Sequence, residues 1–185
     1  PQALSEKSEG VELLKAERFH KLGHLGEGSK IAIIDVEFGR MEEALLEGEI
    51  PLDSESKDFT GTGFGISGPH GTACAEIVHD VAPAAELHLL KISDVVDLEN
   101  AAQYILWNKI PIVSASIGWS NTLGDGSGEP CRIANDAATN GVLWINAAGN
   151  EANSTLFDDF SDPDHDNLHN LEDGTEILKL KGVEV

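Results

Sequence analysis

Apolar and polar positions alternate along the chain between two kinds of segment. Lys30–Val36 (KIAIIDV) is a nearly unbroken apolar run ending in an acid, the pattern of a strand covered on both faces. Glu86–Ile92 (ELHLLKI), Ile110–Ile117 (IPIVSASI) and Val142–Ala148 (VLWINAA) repeat that pattern. The segments between them have helical character. His70–Val81 (HGTACAEIVHDV) is entered from a Gly/Pro turn and stopped by Pro83, which predicts a helix. Asp97–Asn108 predicts another, with Asp97 as its cap. Glu129–Asn140 predicts a third, ended by Asn140-Gly141. Near the start, Val11, Leu14, Phe19 and Leu22 share one face of a helix over Val11–Leu22. Gly23, Gly26 and Gly28 then mark a loop. Gly39–Gly68 reads as loop apart from a short helix at Met41–Leu46.

Strands alternating with helices of about a dozen residues indicate βαβ units. The expected fold class is therefore α/β, a doubly wound parallel sheet with helices on both faces. After Asn150 the character changes. Phe157–Asn170 (FDDFSDPDHDNLHN) is acidic and loop-like, and Glu176–Val185 (EILKLKGVEV) alternates as a strand with one exposed face does. This places a boundary near residue 155, with 1–155 as one domain and 156–185 as the start of a β-rich insertion or second domain.

Composition narrows the function classes. The 185 residues are 41% hydrophobic, ordinary for a domain with its own core. Thirty-three acidic residues against 12 basic ones give a formal charge of −21. Phosphates repel such a surface, so nucleic acid and anionic membranes are poor partners. Two cysteines, Cys74 and Cys131, do not make a disulfide framework. No apolar run approaches the roughly 20 residues of a membrane helix, and no signal peptide is visible. The chain opens at Pro1 without Met, as a processed or cut product does.

Candidate chemistry gathers at the carboxyl ends of the strands, where doubly wound sheets bind ligands. Asp35 ends the first strand, Asn150 follows the fourth, and His70 opens a helix whose N-terminus points into the same crevice. An acid, an imidazole and an amide converging on one edge suit acyl transfer.

The strings around these residues are more specific than their placement. Ile31–Asp35 (IAIID), His70-Gly71-Thr72, Ser116-Ile117-Gly118 and Ala147-Ala148-Gly149-Asn150 occur in that order. From about Val11 to Glu151 the chain resembles the N-terminal part of the catalytic domain of subtilases, the subtilisin-like (family S8) serine peptidases. The resemblance implies that Asp35 orients His70 and stabilises its charged form. It implies that His70 is general base and then general acid, and that Asn150 donates to the tetrahedral oxyanion. It also implies that Ser116, Ile117 and Gly118 form an edge strand pairing with substrate backbone. Ala147, Ala148 and Gly149 would wall the primary specificity pocket. The implied partners are a peptide or protein substrate and the remainder of the catalytic domain. The implied location is secreted or extracytoplasmic.

Several positions depart from the family pattern. Asp35-Val36-Glu37 replaces Asp-Ser/Thr-Gly, Pro69 precedes the His where Gly is usual, and Trp119 follows Gly118, where it would narrow the cleft on one side. The family's nucleophile lies in a Gly-Thr-Ser-x-Ala motif opening a later helix, and no such motif is present. Gly118-Trp119-Ser120 and Gly126-Ser127-Gly128 do not open a helix after a strand. The implied activity is endopeptidase hydrolysis in a longer protein, with this chain inactive alone. The alternative is a non-catalytic interaction or regulatory module on the same scaffold. A nucleotide-binding α/β domain fits less well, because Gly26 and Gly28 precede the first strand.

Two features lie outside this set. Cys74 stands one helical turn after His70 on the same face, where some subtilases carry a free Cys, and it also suits a small core residue. Asp162, Asp164 and Asp166 repeat as D-x-D-x-D, which suits either Ca²⁺ or a solvated acidic turn. Asn167 and Asp173 depart from the EF-hand pattern and favour the turn. The chemistry requires no cofactor, and Ca²⁺ as a structural ion is the candidate metal.

Overall fold

The computed structural model describes residues 7–65, 68–119 and 126–150, with 161, 163 and 165. The chain divides into two compact units, Pro1–Ala148 and Gly149–Val185. The first contains every described helix and strand.

Its elements run α1 (Glu9–Leu13), α2 (Ala16–Lys21), β1 (Lys30–Asp35), α3 (Met41–Glu47), β2 (Glu55–Asp58) and α4 (His70–Val81). Then come β3 (Glu86–Lys91), α5 (Val95–Trp107), β4 (Ile112–Ala115), α6 (Glu129–Thr139) and β5 (Leu143–Asn146). The five strands form one sheet in the order β2-β3-β1-β4-β5, and every pair is parallel. The fold is the α/β doubly wound sheet that the alternation predicts.

Two cores account for the unbroken apolar runs. Side chains of a strand point alternately to opposite faces. Ile31 and Ile33 of β1, with Leu87 and Leu89 of β3, pack on one face with Phe38, Ala44, Ile50 and Ala75, beneath α3 and α4. Ala32, Ile34 and Leu90 pack on the other with Leu98, Ala101, Ile105, Ile133 and Ala137 of α5 and α6. Each central strand is therefore apolar at consecutive positions. Between Leu87 and Leu89, His88 is a polar interruption of β3. Its buried ring is satisfied by Tyr104 on one nitrogen and Glu86 on the other.

The structure differs from the sequence expectations at several elements. The helix expected over Val11–Leu22 is two short helices broken at Lys15, whose φ is +57°. Val11 and Ala16 are the buried residues, while Leu14, Phe19 and Leu22 are exposed. Five residues apart on one helix, Val11 and Ala16 would point about 140° away from each other, and the break lets both face inward. Asp94, not Asp97, caps α5, accepting from Val96 N and Asp97 N. Asp97 lies inside the first turn and accepts from the backbone and hydroxyl of Ser93. β2 is a strand within the segment expected to be loop. The strand expected at Ile110–Ile117 is confined to Ile112–Ala115, and the one expected at Val142–Ala148 to Leu143–Asn146. The acidic segment Phe157–Asn170 lies outside the described residues except at 161, 163 and 165, and Glu176–Val185 lies wholly outside them.

Candidate active site

Asp35 is the last residue of β1 and has no exposed surface. Its Oδ1 accepts from the backbone N–H of Val36 (2.8 Å) and Glu37 (3.1 Å), which fixes the carboxylate and leaves Oδ2 directed elsewhere. Oδ2 meets Nδ1 of His70 at 2.7 Å. His70 is the first residue of α4, and its side chain is 56% exposed. One ring nitrogen is thus held by a buried acid at the carboxyl edge of the sheet, on an imidazole open to solvent. Such a pairing favours the tautomer with hydrogen on Nδ1 and leaves Nε2 as a base.

The backbone around the pair brings the two elements close. Gly71 N donates to Glu37 O at 2.7 Å, Gly39 N donates to Gly68 O at 2.8 Å, and the Thr72 hydroxyl donates to Gly39 O. A Cβ at Gly71 would stand 2.6 Å from both Asp35 Cβ and Glu37 O. Glycine after His70 is therefore a requirement of packing: without it α4 could not approach the end of β1 closely enough for the Asp35–His70 bond. Glu37 takes its place in this corner through its backbone carbonyl, and its carboxylate lies against Gly68.

Cys74 lies one turn along α4 and is half-buried. Burial foremost, with the nearby Asp35 charge, pushes its thiol above the ordinary value, although a hydrogen bond with the Ser116 side chain opposes the shift. One donor atom each from Asp35, His70 and Cys74 lie within 4.8 Å of one another. No described residue links Cys74 to Cys131, and both are free thiols.

The remaining candidates follow the ends of β4 and β5. Ser116, Ile117 and Gly118 continue past the end of β4 as non-strand backbone, with Ile117 buried and Gly118 exposed. Ala147 N donates to Ala115 O at 2.9 Å, so β5 stays paired for one residue beyond its end. Ala147 and Ala148 are exposed there. Gly149, with φ +91°, and Asn150, in an exposed bend, open the second unit. Trp119 lies at the end of the described segment that follows β4. It is half-buried against the α5–α6 core and, with Leu98, Ile117, Cys131 and Trp144, lines a cavity of about 190 Å³. Asp162, Asp164 and Asp166 lie outside the described residues.

Two contributing residues escape sequence reasoning. Asn146 donates its side-chain amide to Ile117 O (3.2 Å) and Ala147 O (2.8 Å), tying the ends of β4 and β5 together. Lys91, buried at the end of β3, donates to the Thr62 hydroxyl and the Gly63 carbonyl. Asp58 holds the same loop by accepting from Thr60 N, the Thr60 hydroxyl and Gly63 N. Phe64, at the end of that loop, packs edge-on against Phe38, 5.7 Å between ring centres. Both residues are single polar positions closing a strand, which leaves no periodic signal.

A parallel doubly wound sheet with a buried acid on an exposed imidazole at its carboxyl edge defines the class, an α/β domain with a candidate acid–base pair. Comparisons narrow it. No protein-family model matches the chain. It is 28% identical over 151 residues to a thermostable alkaline protease of Halalkalibacterium halodurans, covering 76% of this chain and 41% of that protein. It is 26% identical over 157 residues to Subtilisin BL of Lederbergia lenta, covering 80% and 57%. An alkaline protease of Shouchella clausii matches equally well, at 26% identity over 80% of this chain and 40% of its own length. Among solved structures, the crystal structure of a lanthipeptide protease superposes with a TM-score of 0.59 at 20% identity, covering 76% of this chain and 45% of that one. The chain is a sequence relative of the subtilisins, its fold is subtilisin-like, and it spans about half or less of the length of these curated relatives. Among the described residues, no helix is long and apolar enough to cross a membrane.

Proposed function

We propose that this chain carries the acid–base half of a subtilisin-type serine endopeptidase. The observation that supports it most is the 2.7 Å bond from His70 Nδ1 to a fully buried Asp35, in a chain whose relatives are named proteases. In this reading His70 Nε2 takes the proton of a serine supplied by the rest of the catalytic domain, then returns it to the leaving amine. Asp35 stabilises the imidazolium formed between the two steps. Asn150 donates its amide to the oxyanion. Ser116–Gly118 bind the backbone of a peptide or protein substrate, and Ala147, Ala148 and Gly149 border the side-chain pocket. The site of action is extracytoplasmic, no cofactor enters the chemistry, and the Asp162–Asp166 segment is left as a candidate for a structural Ca²⁺.

The sequence contains no Gly-Thr-Ser-x-Ala motif, so the 185-residue chain is expected to be inert toward peptides and toward a serine-directed fluorophosphonate. The longer protein is expected to be labelled at a serine that follows a strand and opens a helix. In that protein His70→Ala should lower turnover by about 10⁶, and Asn150→Leu by about 10²–10³. The difference arises because the base generates the nucleophile, while the oxyanion retains other donors. Undiminished peptide hydrolysis by the His70→Ala protein would show that the pair is structural and that the chain belongs to a non-catalytic module.

A further inference from the structure

We propose that Asp35, His70 and Cys74 form a binding site for a soft divalent cation of the zinc and cadmium class, and that the bound ion disables the Asp35–His70 pair. The second clause rests on the peptidase reading; the first does not.

The donors are a carboxylate, an imidazole and a thiol, all within 4.8 Å of one another. Zinc-class ions take this mixture, whereas Ca²⁺ and Mg²⁺ prefer oxygen donors. Bond lengths of about 2.0–2.3 Å in a tetrahedron place donors roughly 3.4–3.6 Å apart. The 2.7 Å separation of His70 Nδ1 and Asp35 Oδ2 therefore has to open by under about 1 Å, and Cys74 Sγ, in a donor set spanning no more than 4.8 Å, has to close by at most about 1.4 Å.

The surroundings hold the donors in place. Val36 N and Glu37 N keep Asp35 Oδ1 occupied, which leaves Oδ2 for the ion. The Ser116 side chain hydrogen-bonds Cys74. Outer partners of this kind orient metal ligands. The exposed His70 ring gives the ion a path in from solvent and leaves room for water as a fourth ligand.

The proton balance defines the consequence. With hydrogen on Nδ1 beforehand, the ion takes that position on the ring and the imidazole proton moves to Nε2. The Cys74 thiol gives its proton to solvent as the metal–sulfur bond forms, so one proton leaves per ion bound. Nε2 then carries hydrogen and no longer accepts one from a nucleophile. Nothing is oxidised or reduced.

The test uses the reduced 185-residue chain carrying Cys131→Ser, titrated with Cd²⁺. The expected result is a cadmium–thiolate charge-transfer band saturating at one ion per chain, with one proton released. Cys74→Ala should abolish the band. Asp35→Asn and His70→Ala should each weaken binding by more than the about 10- to 100-fold typical of losing an outer partner. Because His70 is exposed, its variant stays informative if Asp35→Asn fails to fold. No band from a chain folded by circular dichroism, or one equally tight in His70→Ala, would overturn the site and leave a lone thiol. In the longer protein, Zn²⁺ should inhibit peptide hydrolysis, a chelator should reverse it, and Cys74→Ala should relieve it. If cadmium binds the chain as expected but zinc leaves hydrolysis unchanged, the ion site stands and the role of His70 as base falls.

Discussion

At the carboxyl end of β1, Asp35 is fully buried, accepts three hydrogen bonds and faces a helix that only a glycine lets approach. Two strands away, β5 leaves Leu143 59% and Ile145 53% exposed, and the residues after it are exposed as well. The first region is over-determined by its own residues: strand register, backbone bonds and close packing all set the same geometry. The second is held mainly by its pairing with β4, by the Asn146 amide and by α6. The Asp35–His70 geometry is therefore organised by residues of this chain itself. The segments assigned to substrate recognition have far less internal support.

Paired truncations probe that contrast most strongly. Leu89 is fully buried in β3 beside β1, and Leu143 is its exposed counterpart in β5. Leu89→Ala should cost about 2–5 kcal/mol, the transfer and cavity terms of a core leucine. Leu143→Ala should stay within about 0.5 kcal/mol. Urea unfolding monitored by circular dichroism measures both. Equal losses would show that β5 is covered in solution and that the two regions do not differ as described.

The same contrast separates what the sequence reveals from what it hides. α4 matches its expected limits, His70–Val81, because a Gly/Pro turn and Pro83 bracket it and helix signals are local. β1 is visible because both its faces are buried and it reads as a continuous apolar run. β2 (Glu55-Ser56-Lys57-Asp58) has no apolar residue and exists through its ladder with β3, so periodicity cannot find it. The split of α1 from α2 depends on Val11 and Ala16 finding the same core, a tertiary demand that overrides the apolar spacing. In the site, Asp35 and His70 carry recognisable strings. Lys91 and Asn146 act through backbone carbonyls of distant segments, and such partners are not written locally.

A smaller effect tests how the 58–64 loop is held beside the acid–base corner. Burial pushes the Asp58 carboxyl up, but bonds from Thr60 and Gly63, with the Lys91 charge, outweigh it and leave its pKa below the ordinary value. A carboxyl lowered on folding stabilises the protein above its unfolded pKa, near about 3.9. That contribution is lost as pH falls through the lower folded value. Asp58→Asn should therefore cost about 1–2 kcal/mol at neutral pH, discounted for the loop's partial exposure from what hydrogen bonds to buried charges provide. The variant and the wild type should converge in stability as the pH drops below about 4. Urea midpoints measured across that range check it, and a difference that persists undiminished in acid would assign the loop's stability to packing of Phe64 on Phe38 instead.

The smallest expected effect lies on the β5 side, where α6 covers the edge of the sheet. Arg132 of α6 reaches Glu129 and Asp136 on its own helix and Glu99 on α5, at 2.8, 2.7 and 2.6 Å. The Glu129 and Glu99 carboxylates hold the guanidinium pKa above its ordinary value. All four side chains are well exposed, so water and salt screen the attraction, and ordering these long side chains costs entropy. Exposed pairs contribute little, and the two within α6 contribute least, as helix pairs spaced by three or four residues do. The bond to Glu99 differs because it joins two helices over the second core. Arg132→Ala should lower the urea midpoint slightly at low salt, and most of that difference should vanish at about 1 M salt, where the screening length falls to about 3 Å. Arg132→Lys should recover only part of it, since a single ammonium cannot address three carboxylates in the fixed fork geometry of a guanidinium. A loss that is independent of salt would show that the side chain acts by packing its stem against α5, and that apolar contact rather than charge holds α6 over the weaker half of the sheet.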